Sequence, residues 1–134
     1  MKVSKLADHL DITVDTVRYY TRVGFLSPQK NSQNGYKEYG ERDIKKLSFI
    51  ISARQLGFSV NDIRDILEKA NHGDAACPLV RDLLETRLRE TEKNFQQMLL
   101  LRERMKSALA DWESKPDQAP SGHMICHLIE EFDG

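Results

Sequence analysis

The chain has 134 residues, enough for one domain or for a small domain with an appended long helix, and too few for two full-sized cores. Hydrophobic residues make up 40% and charged residues 31%, which argues against a disordered chain, and no apolar run approaches the roughly 18 residues needed to cross a bilayer. The net charge of −1 conceals a mild asymmetry: residues 1 to 70 hold 12 Lys and Arg against 9 Asp and Glu, and the remainder holds 8 against 12. A basic amino half permits phosphate contact, although such an imbalance is common by chance. The opening residues, MKVSKLADHL, lack the apolar stretch of a secretion signal, and two cysteines are too few for a stapled secreted scaffold, so a cytoplasmic location is expected.

Helical signals dominate. Val3, Leu6, Ala7 and Leu10 fall at helical spacing; Thr13 opens a second short helix with Val14 and Val17 on its inner face, and Gly24 lies beyond its end. Two short helices across a tight connection predict a helix-turn-helix. From Phe25 to Tyr39 the pattern breaks: Pro28 is followed by Asn34-Gly35, a dipeptide favouring a type I′ hairpin turn, and a two-stranded wing is expected. Helix returns from Glu41 to Gln55, with Ile44, Leu47, Phe49, Ile50, Ile51 and Ala53 as apolar positions, and Gly57 ends it. Ser59 caps a further helix carrying Val60, Ile63, Ile66 and Leu67, up to a break near Asn71-His72-Gly73. A winged domain would occupy residues 1–70.

Pro78 fits the first turn of a helix, and no further Gly or Pro occurs until Pro116, so one helix is predicted over 77–112, about 50 Å long at 1.5 Å per residue. Along it Cys77, Leu84, Leu88, Thr91, Phe95, Met98, Arg102, Met105, Leu109 and Trp112 follow the alternating three and four spacing of a coiled coil. The winged domain is too small to cover so long a seam, which predicts a homodimer with two DNA readers.

In a helix-turn-helix the second helix enters the major groove, which makes Thr16, Arg18, Tyr19 and Tyr20 candidate DNA contacts; Tyr36 and Lys37 on the wing and Arg54 are candidates for the flanking backbone. Each residue also has a structural reading: core packing for the tyrosines, solvation for Lys37, pairing with an acid for Arg54. The weight lies in the assembly. TVDTVRYYTRVGFL, then NGYKEYGERDIKKLSFI, then ARQLGFSVNDIRDIL resemble the signature of the mercury-resistance regulator (MerR) family over roughly residues 1 to 110. Thr21 departs from it, since the family usually has an acid after the paired tyrosines. The resemblance implies a mainly α fold: a winged helix-turn-helix DNA-binding domain, a long antiparallel coiled-coil dimerisation helix and a short C-terminal effector-binding loop and helix. It further implies a dimer that stays on double-stranded promoter DNA and activates RNA polymerase by distorting the operator when an effector binds, with no membrane involvement.

Residues 113–134 would form the effector segment. His123, Cys126 and His127 lie within five residues, before and within a short apolar helix expected over Ile125 to Phe132, and thiolate with imidazole suits zinc and its heavier relatives. A Cys flanked by Ile125 and Leu128 is also an ordinary buried residue. The antiparallel arrangement implied by the family would bring the start of one long helix beside the end of its partner's, so that Cys77 of one subunit meets Cys126 and His123 of the other, with Glu113 or His127 as further ligands. Cys77 matches the cysteine of members that respond to divalent ions; such members usually have two further cysteines bracketing the loop, and Glu113 stands near the first of those positions while Cys126 matches the second. A divalent metal ion as effector is therefore expected, beside two alternatives, a thiol-based redox or electrophile sensor and a regulator of the same family with an organic effector. A DNA-bending dimer without effector is a third. No Gly-rich phosphate loop, nucleophile elbow or helix-borne histidine pair points to an enzyme.

Overall fold

The computed structural model describes residues 1–134. It has six helices and one two-stranded sheet, and it divides into two units, Met1–Arg87 and Leu88–Gly134. No helix is long and apolar enough to cross a membrane.

The first unit opens with α1 (Val3–His9) and α2 (Val14–Arg22). Thr13 starts α2 as its N-cap, the hydroxyl accepting the Thr16 N–H at 3.1 Å. The reversal between the two helices is sharp enough to hold Asp11 at φ 55, a left-handed conformation that Asp tolerates better than most residues. Strands β1 (Gln29–Lys30) and β2 (Lys37–Glu38) pair antiparallel, Gln29 opposite Glu38 and Lys30 opposite Lys37, and form the wing.

The expected type I′ turn is absent from that wing. The Asn31 carboxamide oxygen accepts the N–H groups of Gln33 and Asn34 at 2.8 and 3.3 Å, and the Asn31 carbonyl accepts the N–H of Gly35 at 2.9 Å. This local network widens the connection to six residues, and of the Asn34-Gly35 pair only Gly35 adopts positive φ, at 74°.

Helix α3 (Glu41–Gln55) and helix α4 (Val60–Asn71) follow. Ser59 and Asp62 cap α4 reciprocally: the Ser59 hydroxyl accepts the Asp62 N–H, and the Asp62 carboxylate accepts the Ser59 N–H, both at 3.0 Å. Leu6, Val17, Leu47, Ile50 and Ile63 are fully buried at the centre of the unit. Each contributes on the order of 1.5–3 kcal/mol by leaving water. Around them pack Tyr20, Phe25, Tyr39 and Phe58, with Leu79, Val80, Leu83 and Leu84 from the start of α5 (Cys77–Trp112). Leu84, expected in the dimer seam, thus packs against its own chain.

In the second unit the rest of α5 presents Leu88, Phe95, Met98, Met105 and Leu109 to solvent, each more than half exposed. The C-terminal helix α6 is one turn, His127–Glu130, rather than Ile125 to Phe132. Cys126 is extended (φ −143, ψ 112), because the Glu130 carboxylate accepts its N–H and that of Ile125 at 2.8 and 3.0 Å and so fixes them outside the helix. The Trp112 indole N–H donates to the Leu128 carbonyl at 3.1 Å, and its ring meets Phe132 edge-on at 6.1 Å.

Candidate nucleic-acid interface and effector segment

Helix α2, the wing and the N-terminal segment enclose a cleft of about 780 Å³, lined by Lys2, Arg18, Arg22 and Lys37 with Ser4 and Tyr36 among its other walls. No carboxylate lines it. Lys30 and Lys37 are paired directly across β1 and β2, an arrangement of like charges that costs stability unless an anion relieves it.

Of the residues expected to meet DNA, Arg18, Tyr19, Tyr36, Lys37 and Arg54 are exposed and Thr16 is half-buried. Arg18, Tyr36 and Lys37 converge in the cleft. Thr16 serves the start of α2, its hydroxyl 2.8 Å from that of Thr13. Tyr20 is buried among the core residues, stacked on Phe25 at 6.1 Å and meeting Tyr19 edge-on at 5.0 Å, so its ring positions Tyr19 from inside. Arg54 lies away from the cleft and donates to the Phe58 carbonyl at 2.9 Å, closing the end of α3. Lys2, Ser4 and Arg22, which are not among the contacts expected from the sequence, also line the cleft. The spacing of Arg18 and Arg22, four apart on one helix face, was the available signal; Lys2 had none.

The frame behind this surface is fixed by polar contacts. The buried Asp43 carboxylate accepts the Ser27 N–H at 2.9 Å, and Arg64 donates to the Val23 carbonyl at 3.2 Å while its guanidinium covers the Phe25 ring at 4.9 Å. Asp62 also receives Arg87 of α5 through Nε at 2.8 Å and Nη2 at 3.2 Å. Burial opposes ionisation of Asp62, but the Ser59 N–H, the Arg87 guanidinium and the Ser59 hydroxyl together outweigh it and hold the carboxyl below its ordinary value of 3.8.

Both cysteines are free thiols, Cys77 exposed at the start of α5 and Cys126 half-buried at the edge of α6. His123 is exposed in a turn closed by the Met124 N–H on the Ser121 carbonyl at 2.9 Å. His127 is buried; its Nε2 lies 2.9 Å from the Pro116 carbonyl and must carry the proton there, leaving Nδ1 facing Glu131 at 3.7 Å. Glu113 is exposed one residue past α5. Within one chain no three His, Cys, Asp or Glu side chains converge as a metal site.

Two family models match the chain, the MerR HTH family regulatory protein over residues 1–70 and the MerR DNA-binding region over residues 44–108. The regulator HmrR of Rhizobium leguminosarum bv. viciae is 31% identical over 134 residues, covering 98% of this chain and 97% of that protein. A probable heavy metal-dependent transcriptional regulator of Haemophilus influenzae is 27% identical over 112 residues, 84% of each chain. Among solved structures, the regulator PbrR691 from Ralstonia metallidurans CH34, in complex with lead(II), aligns with TM-score 0.70 at 20% identity over 98% of this chain and 99% of that one, a likeness of fold.

Proposed function

The chain belongs to the MerR family of DNA-binding transcriptional regulators, and we propose that it works as a homodimer on promoter DNA and responds to a divalent metal ion of the zinc, cadmium, lead and mercury class. It is a regulator and not an enzyme. Residues 1–70 read DNA, residues 77–112 pair the two chains, and residues 113–134 receive the effector.

The observation that carries the metal reading is the donor set of the C-terminal segment. Cys126 is a free thiol on a backbone fixed by Glu130, and it follows the exposed His123 by three residues. Such a thiolate and imidazole suit a borderline-soft ion. They are too few to complete four ligands, and the partner subunit's Cys77 supplies the missing thiolate, with Glu113, water or the Nδ1 of His127 as a fourth ligand. The names of relatives lend support, one of them heavy metal-dependent and another bound to lead(II).

Thr16, Arg18 and Tyr19 of α2 meet the major groove, while Tyr36 and Lys37 hold the adjacent backbone. Tyr20 supports Tyr19 from the core, and Arg54 remains a backbone contact at the edge. The ion acts by binding one dimer shape better than the other. The bend it selects in the operator costs on the order of 1–6 kcal/mol and brings promoter elements into register for RNA polymerase.

The test is anaerobic titration of the reduced protein with zinc, cadmium, lead, mercury and copper(I), followed by thiolate charge-transfer absorption, or by chelator competition for zinc. Tight binding of a divalent ion that is lost in both Cys77→Ser and Cys126→Ser is expected, with operator affinity of the ion-free protein unchanged. No tight binding of any ion would refute the metal reading and leave a regulator governed by redox chemistry or an organic molecule.

A further inference from the structure

We infer that Lys2 and Arg22 are phosphate ligands, each neutralising one phosphate of a DNA strand seated in the cleft between α2, the wing and the N-terminal segment. The inference rests on the DNA-binding role and names contacts that it does not assign.

Three observations carry it. First, Lys2, Arg18, Arg22 and Lys37 share the cleft without an acid on its walls, and none of the four forms an ion pair. The nearest carboxylate in sequence, that of Glu38, is turned to the chain's own amino terminus at 3.6 Å. Four uncompensated cations around one concavity focus a positive potential into it.

Second, the two cations are steered by rings. The Lys2 ammonium lies 5.0 Å from the centroid of Tyr36, and the Arg22 guanidinium lies 5.8 Å from that of Tyr19. Such pairs limit the freedom of long side chains without cancelling their charge. A carboxylate partner would cancel it.

Third, the size and lining fit a strand rather than a small anion. At about 780 Å³ the cleft exceeds the volume of a single phosphate, and Val3, Tyr36 and Tyr39 line it together with the cations, which gives wall for sugar as well as phosphate. Arg18, on the same helix face as Arg22, ties this seat to the helix that reads the major groove.

The experiment measures the salt dependence of DNA affinity by fluorescence anisotropy, between about 50 and 200 mM salt. The probes are a duplex selected by the wild-type protein from a random-sequence library and a duplex of mixed sequence. The proteins are the full chain, Lys2→Ala, Arg22→Ala and, as a charge control outside the cleft, Lys69→Ala, each checked for unchanged helical circular dichroism. Each cleft variant should lower the log–log slope by about 0.9 per protomer, or about 2 for a dimer. Both probes should weaken equally, because phosphate contacts carry no sequence information. Lys69→Ala should leave the slope unaltered. Unchanged slopes in both cleft variants, or an equal loss in Lys69→Ala, would overturn the inference while the wild-type affinity still upheld the DNA-binding role. A wild-type protein selecting no duplex would overturn that role itself.

Discussion

The Thr21 hydroxyl on α2 lies 2.8 Å from the phenol oxygen of Tyr39, the buried residue that follows β2. Thr21 donates its own proton to the Val17 carbonyl at 2.8 Å, so it must accept that of Tyr39. The bond fastens the wing to the helix beside it.

Thr21→Val removes the acceptor and leaves the Tyr39 hydroxyl without its partner; it should cost about 1–2 kcal/mol, and Tyr39→Phe about 1 kcal/mol. The double variant should lose less than the sum of the two. A double-mutant cycle by urea denaturation gives the coupling. Additive losses would show that the two hydroxyls act independently. Operator affinity should fall in Thr21→Val through the loosened wing, beyond the loss due to unfolding.

Asp62 joins the cap of α4 to Arg87 of α5, and its carboxyl ionises more readily when folded than when unfolded. The unfolded state therefore takes up protons first as pH falls. The stabilisation is complete above the ordinary value of 3.8 and is lost as pH drops through the lower folded value. Asp62→Asn should flatten that acid limb in denaturation curves measured between about pH 5 and 2. Arg87→Ala should cost about 1–3 kcal/mol near neutrality by leaving a buried carboxylate with one partner fewer. An acid limb unchanged in Asp62→Asn would assign it to other carboxylates.

These relationships differ in how far the sequence announces them. Thr13 and Ser59 are cap residues followed by apolar positions at helical spacing, and the structure starts α2 and α4 where those signals lie. Local competition was harder to foresee. Asn31 captures the N–H groups that a type I′ turn would have arranged otherwise, and Glu130 holds the N–H groups of Ile125 and Cys126 outside α6. Leu84 keeps the heptad register yet joins the core, because spacing along a helix does not say where neighbouring elements stop covering it. The cleft was illegible for a different reason: Lys2, Arg22 and Tyr36 come from three separate segments, and only the folded chain brings them together.

The apolar row on α5 from Leu88 onward is the basis for expecting a dimer. Leu88, Phe95, Met98, Met105 and Leu109 keep coiled-coil spacing and stand exposed, and a large apolar surface of this kind favours association. Phe95→Lys with Met98→Lys should yield a monomer in sedimentation equilibrium with the winged unit still folded by circular dichroism. DNA affinity should drop steeply, because one reader then binds alone. A dimer that survives both charges would place the interface elsewhere.

Trp112 is the single tryptophan of the chain and a constraint on the segment proposed to bind metal. Its N–H holds the Leu128 carbonyl, two residues beyond Cys126, and its ring meets Phe132. Reorganisation around Cys126 therefore acts on the environment of one fluorophore. Saturating cadmium or lead should alter Trp112 emission in the wild-type protein and leave it unchanged in Cys126→Ser. Glu130→Gln should weaken the affinity read from the same signal by about 10- to 100-fold, the usual consequence of losing a group that orients a ligand. Helical content should be retained, since Glu130 supports the extended backbone before α6 and not the long helix. An emission change that persists in Cys126→Ser would mean that the ion acts on Trp112 without Cys126 as a ligand. Unaltered affinity in Glu130→Gln would show that the backbone at Cys126 keeps its geometry without the Glu130 carboxylate.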